Sequence, residues 1–98
     1  MANMRTLSVY NVTLTVANTE YSQALPPNVR SLAVQPRTAV DVRMAFVTGK
    51  VAGPTAPFFT LKAGGALAIH ELQMGDDATV YLASATAGTV VEIVAGSW

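Results

Sequence analysis

At 98 residues, with six basic and six acidic side chains and a formal net charge of zero, the chain has room for one domain. It has no basic run with which to hold nucleic acid or an anionic membrane. It contains no cysteine, which excludes disulfides and thiolate metal sites and suits a reducing cytoplasm. Only 12% of the residues are charged, about half the usual share, so little repulsion keeps copies apart.

In chain order, Met1 to Thr6 reads as a short N-terminal arm. The next stretch, 7–16, is interrupted by Ser8, Asn11, Thr13 and Thr15. It is too polar for the core of an export signal and too short for a membrane span. The expectation is an unexported chain whose Asn11-Val12-Thr13 sequon stays unglycosylated. Tyr10, Val12, Leu14 and Val16 alternate on one face of a strand, and Leu7 and Val9 fall out of phase with them. That break predicts a bulge or bend near Ser8 to Tyr10.

A turn signal covers Asn18 to Ser22, and another covers Pro26-Pro27-Asn28. A weaker strand spans Ser31 to Gln35 and stops at Pro36-Arg37. Val40, Val42, Met44 and Phe46 form one face of the next strand, opposite Asp41 and Arg43. Thr48-Gly49-Lys50 turns the chain into Gly53-Pro54-Thr55-Ala56-Pro57, where two prolines forbid a central strand and predict a semi-rigid loop able to carry contacts. Phe58 to Lys62 and Leu67 to Leu72 read as weaker strands around a Gly64-Gly65 turn. Gly75-Asp76-Asp77 precedes a strand over 79–83, and Ala87-Gly88 precedes the last, Thr89 to Val94, with Glu92 on the face of Val90 and Val94.

Val, Ile, Thr, Phe, Tyr and Trp make up 33 of the 98 residues, and no segment holds a helical apolar period between caps. Turn signals recur every 8–12 residues or so. The expectation is an all-β single domain over 1–98, an antiparallel β-sandwich of jelly-roll type with about seven or eight strands.

Nothing in the sequence assembles a chemistry. His70 is the one histidine, beside Glu71, with no sequence partner for acid–base work. Asp76-Asp77 lacks the spaced oxygen ligands of a calcium loop and reads as a turn. Gly64-Gly65 and Gly75 lack the strand–loop–helix setting of a phosphate cradle, and no nucleophile elbow is present. The chain is therefore expected to be no enzyme and to use no metal, cofactor or small-molecule substrate. Arg37 and Arg43 bracket Asp41, so a surface ion pair is expected there, with an interface anchor as the sharper reading.

The apolar surplus is more informative. Sixteen alanines and 34 larger hydrophobes exceed what so small a sandwich can bury. Val47, Val51, one of Phe58 and Phe59, and Trp98 remain over. Adjacent Phe58 and Phe59 must point to opposite faces if both lie in a strand. The expected function is protein–protein contact, in a homo-oligomer or larger assembly. Candidate interface residues are Arg37, Arg43, Pro54, Pro57, Phe58, Phe59 and Trp98.

The run Ala17-Asn18-Thr19-Glu20-Tyr21-Ser22-Gln23-Ala24-Leu25-Pro26, then Leu32 to Arg37, Asp41 to Phe46, Tyr81 to Ala85 and Val90 to Ile93, resembles small virion structural proteins of tailed bacteriophages. The resemblance covers Val12 to Trp98. It implies a β-sandwich cement or decoration protein, commonly a trimer, seated on the outside of the head. Its partner would be the major capsid protein or another virion protein, and its location the virion, assembled in the host cytoplasm. Many cement proteins carry long arms, and the short arm here departs from that pattern. Two other readings are a neck, tail or fibre module, with Tyr10, Tyr21, Tyr81 and Trp98 as a sugar platform, and a bacterial carbohydrate-binding or adhesin module.

Overall fold

The computed structural model describes residues 6–71, 75 and 78–97. Eight strands follow one another: β1 (Thr6–Leu14), β2 (Tyr21–Ala24), β3 (Val29–Pro36), β4 (Val42–Ala45), β5 (Phe59–Leu61), β6 (Leu67–Ile69), β7 (Thr79–Ala83) and β8 (Thr89–Ser97). First pairs with last, and so inward: β1 with β8, β2 with β7, β3 with β6 and β4 with β5, all antiparallel. The chain is thus one long antiparallel ribbon folded back at the β4–β5 connection. Rolling the ribbon sets β8 beside β3 and β7 beside β4. Two four-stranded sheets result, β1-β8-β3-β6 and β2-β7-β4-β5. This is a jelly roll.

Alternation explains the core. Val12 and Leu14 of β1, Leu32 and Val34 of β3, and Val91, Ile93 and Ala95 of β8 line the inner face of the first sheet. Val42 and Met44 of β4, Leu61 of β5, and Val80 and Leu82 of β7 meet them from the second. Among the described residues every buried side-chain polar atom has a partner: the Ser84 hydroxyl, for one, donates to the Asp41 carbonyl and accepts from the Thr86 N–H.

Three features depart from the sequence reading. First, β1 runs in unbroken register with β8 from Thr6 to Leu14, so there is no bulge near Ser8 to Tyr10. Leu7 and Val9 simply face outward, 63% and 65% exposed. The irregularity lies instead in β3, between Val29 and Ser31. Thr6, expected at the end of an arm, belongs to β1; the rest of the arm lies outside the described residues. Second, part of the expected Asn18–Ser22 turn is strand β2. Its polar residues are held by pairing with β7 rather than by their own propensity. Third, β4 ends at Ala45, so Phe46 leaves the core face and is 44% exposed.

The β4–β5 connection folds back over the outer face of the second sheet. Val51 is fully buried there with Ala45 and Ala83, and Phe58 and Tyr81 pack against them. This corrects the placing of Val51 among the surplus exposed residues. The β4–β5 loop makes a second small core outside the sandwich.

Candidate interaction surface

Two exposed apolar patches stand out, one on each sheet. On the second sheet, Phe46 and Val47 leave β4 beside Phe59, the first residue of β5, and each has about half of its surface exposed (44%, 58% and 50%). With Met44, Ala45, Pro57 and Phe58 they line an open cleft of about 310 Å³. Phe58 and Phe59 divide as alternation requires: Phe58 packs on Val51, and Phe59 faces solvent.

The backbone carrying this patch is tied down on both sides. Arg43 Nε donates to the Val51 carbonyl at 2.6 Å, and its Nη2 to Asn18 Oδ1 at 2.8 Å and the Ala52 carbonyl at 3.3 Å. Glu20 accepts from the Thr48 hydroxyl at 2.6 Å and the Gly49 N–H at 2.8 Å. The Phe46–Val47 stretch therefore presents a preorganised surface, which lowers the ordering cost of any contact made there.

Arg43 thus acts as a strap inside the chain and does not pair with Asp41. Asp41 accepts from the Ala63 N–H at 2.7 Å and lies 3.6 Å from Lys62 Nζ. Arg37 is on the other sheet, 3.1 Å from Glu92. Pro54 is exposed on the β4–β5 loop but does not line the cleft, whereas Pro57 does. Of the seven expected interface residues, Pro57, Phe58 and Phe59 come together. Trp98 lies outside the described residues, as do Asp76 and Asp77. Phe46 joins the patch because the strand stops one residue before it, which alternation alone does not reveal.

The second patch crosses the outer face of the first sheet. Val9 of β1, Val94 of β8, Ala33 of β3 and Ala68 of β6 are successive register partners, forming an uncharged row across all four strands. The two alanines leave a depression of about 360 Å³, bordered by Asn11, Gln35 and Glu92. Glu92 accepts from Gln35 Nε2 at 3.0 Å and from Arg37 Nε at 3.1 Å. The Gln35 hydrogen bond first, and then that from Arg37, hold its carboxyl below the ordinary glutamate value.

The tyrosines do not form a common platform. Tyr10 and Tyr21 pack on the core between the sheets, and the Tyr21 hydroxyl accepts from the Val16 N–H. Tyr81 packs on the opposite face of the second sheet. His70 is exposed just beyond β6. Among the described residues no group of three metal-ligating side chains comes together. No family model matches the chain, and no curated protein or solved structure does so either.

Proposed function

We propose that the chain is a structural protein of a tailed-phage virion, a cement or decoration protein that stabilises the head through symmetric protein–protein contacts. The observation that carries this reading is the exposed Phe46–Val47–Phe59 patch, beside a loop that Arg43 and Glu20 tie down, on a domain with about half the usual share of charged residues. Aromatic anchors in a preformed apolar cleft are what a permanent protein contact needs. The resemblance of Ala17–Pro26, Asp41–Phe46 and Val90–Ile93 to phage virion proteins supplies the setting, and the major capsid protein is the proposed partner. Jelly rolls also serve in viral shells, an analogy of fold and not of site. Weak contacts repeated by the symmetry of a shell add up through avidity. The trimer rests on the resemblance alone.

The test is to bind purified protein to heads assembled without it. Wild type should saturate at a copy number set by the icosahedral lattice and raise the temperature at which heads rupture. The Phe46→Ser/Phe59→Ser double variant, whose changes lie at exposed positions and should leave the unfolding transition cooperative, should bind at least about tenfold more weakly, as expected for loss of interface anchors. Saturation at a single ring of copies would move the protein to the neck or tail, and no binding to any virion part would sink the reading.

A further inference from the structure

Strand β1 ends the first sheet, and among the described residues no strand lies beyond it. It is a nine-residue edge with no charge, proline, glycine or bulge, so it has none of the usual protections against pairing with another chain. The direction of its peptide groups follows from two hydrogen bonds. The Arg37 N–H donates to the Val90 carbonyl, so alternate residues of β8 from Val90 face β3, and the residues between them face β1. The Gly88 N–H donates to the Leu14 carbonyl, so Leu14, Val12, Tyr10, Ser8 and Thr6 turn their peptide groups toward β8. Leu7, Val9, Asn11 and Thr13 are left with N–H and C=O pointing off the sheet.

The geometry points to a second copy of this chain as the occupant of the edge, its β1 pairing antiparallel with the first about a two-fold axis between the two Tyr10 residues. The four free residues are centred on Tyr10. That register sets Leu7 against Thr13 of the other copy and Val9 against Asn11, and every free N–H and C=O of the four finds a partner with no overhang. Self-pairing brings no like charges together, because β1 has none and the chain is neutral. Tyr10 is only half-buried at the open side of the sandwich. Meeting its symmetry mate across a non-hydrogen-bonded pair covers its exposed remainder. On the outer face, the exposed Leu7 gains Thr13 of the other copy as a neighbour, and the exposed Val9 gains Asn11 directly opposite and the other Val9 on the diagonal. The pairing is isologous and closes on itself. It does not rest on the virion reading.

Sedimentation across a dilution series of the full chain, with residue-resolved amide exchange, tests this. A dimer is expected, and its dissociation on dilution should speed exchange at Leu7, Val9, Asn11 and Thr13 while Ser8, Tyr10 and Val12 stay protected by β8. Asn11→Pro removes an N–H that makes no bond within the protomer and should weaken dimerisation about tenfold or more. Val9→Lys, a charge at the same edge, should do likewise and serves if the proline variant does not fold. A monomer at every concentration would overturn the proposal. So would an oligomer, trimer included, in which those four amides exchange as fast as in the dilute protein, or protection that appears only when a foreign strand is supplied.

Discussion

Glu92 stands at the middle of an outer sheet face, yet its carboxylate is held by two donors from the neighbouring strand and its end, Gln35 and Arg37. Both favour the charged form, so its folded pKa lies below its unfolded one. The stability it contributes is fully present above the ordinary glutamate value and is lost as pH falls through the lowered folded value. Carboxyl-carbon NMR titration should show Glu92 protonating at lower pH than a model glutamate. Gln35→Leu and Arg37→Met should each move it back toward that value, the first by removing one hydrogen bond and the second by removing a hydrogen bond and a positive charge. Equal titration of wild type and both variants would refute the arrangement. The sequence placed Glu92 correctly on the face of Val90 and Val94, but not its partners. Arg37 and Arg43 seemed matched to Asp41 by closeness in sequence, whereas the fold gives Arg37 a partner 55 residues away. Charges seek whatever the tertiary fold brings near, and spacing along a strand carries little of that.

At the scale of elements, strands bounded by strong turns were readable and those shaped by pairing were not. The strand over 79–83 is found as expected, because alternation and flanking turns agree. β2 was hidden because Tyr21–Ala24 has a weak apolar pattern and acquires its form from β7. In β1, the parity conflict of Leu7 and Val9 with Tyr10 was visible. Outward apolar residues break the in–out alternation, so the pattern reads as a bulge, whereas it marks an exposed apolar face. A semi-rigid loop is expected over Gly53 to Pro57, but the connection is longer, and its burial of Val51 depends on Arg43, whose two carbonyl acceptors lie 8 and 9 residues further along. Arg43→Ala should therefore cost about 2–3 kcal/mol in urea unfolding, the worth of hydrogen bonds from a charged donor. It should also loosen the loop, seen as faster exchange of the Gly49 amide, which donates to Glu20, and of the Thr55 amide, which donates to the Lys50 carbonyl. Arg43→Lys, a point donor without the fork, should recover only part of the loss. Wild-type stability in Arg43→Ala would show that the strap is ornamental.

For the whole molecule, the two patches lie on different sheets and present different chemistry. The second sheet offers aromatic side chains on a fixed loop, suited to a pocket or a flat shell. The first offers a free backbone edge beside an aliphatic row, suited to another strand. A domain of this kind can hold a copy of itself by one side and a larger partner by the other, so the two contacts should be separable by mutation. On the proposed reading, Phe46→Ser/Phe59→Ser should abolish binding to heads while leaving the dimer and the exchange pattern of β1 unchanged. Asn11→Pro should do the reverse for self-association and still bind heads, more weakly. A protomer that has lost its pair binds one site at a time, and the gain from a tethered second site is forfeited without any change at the first. Monovalent affinity at low coverage should then match between Asn11→Pro and wild type, with the difference growing only where neighbouring sites fill. If either variant lost both activities while its unfolding curve stayed wild-type, the patches would be one surface, and the division of labour between the sheets would be wrong.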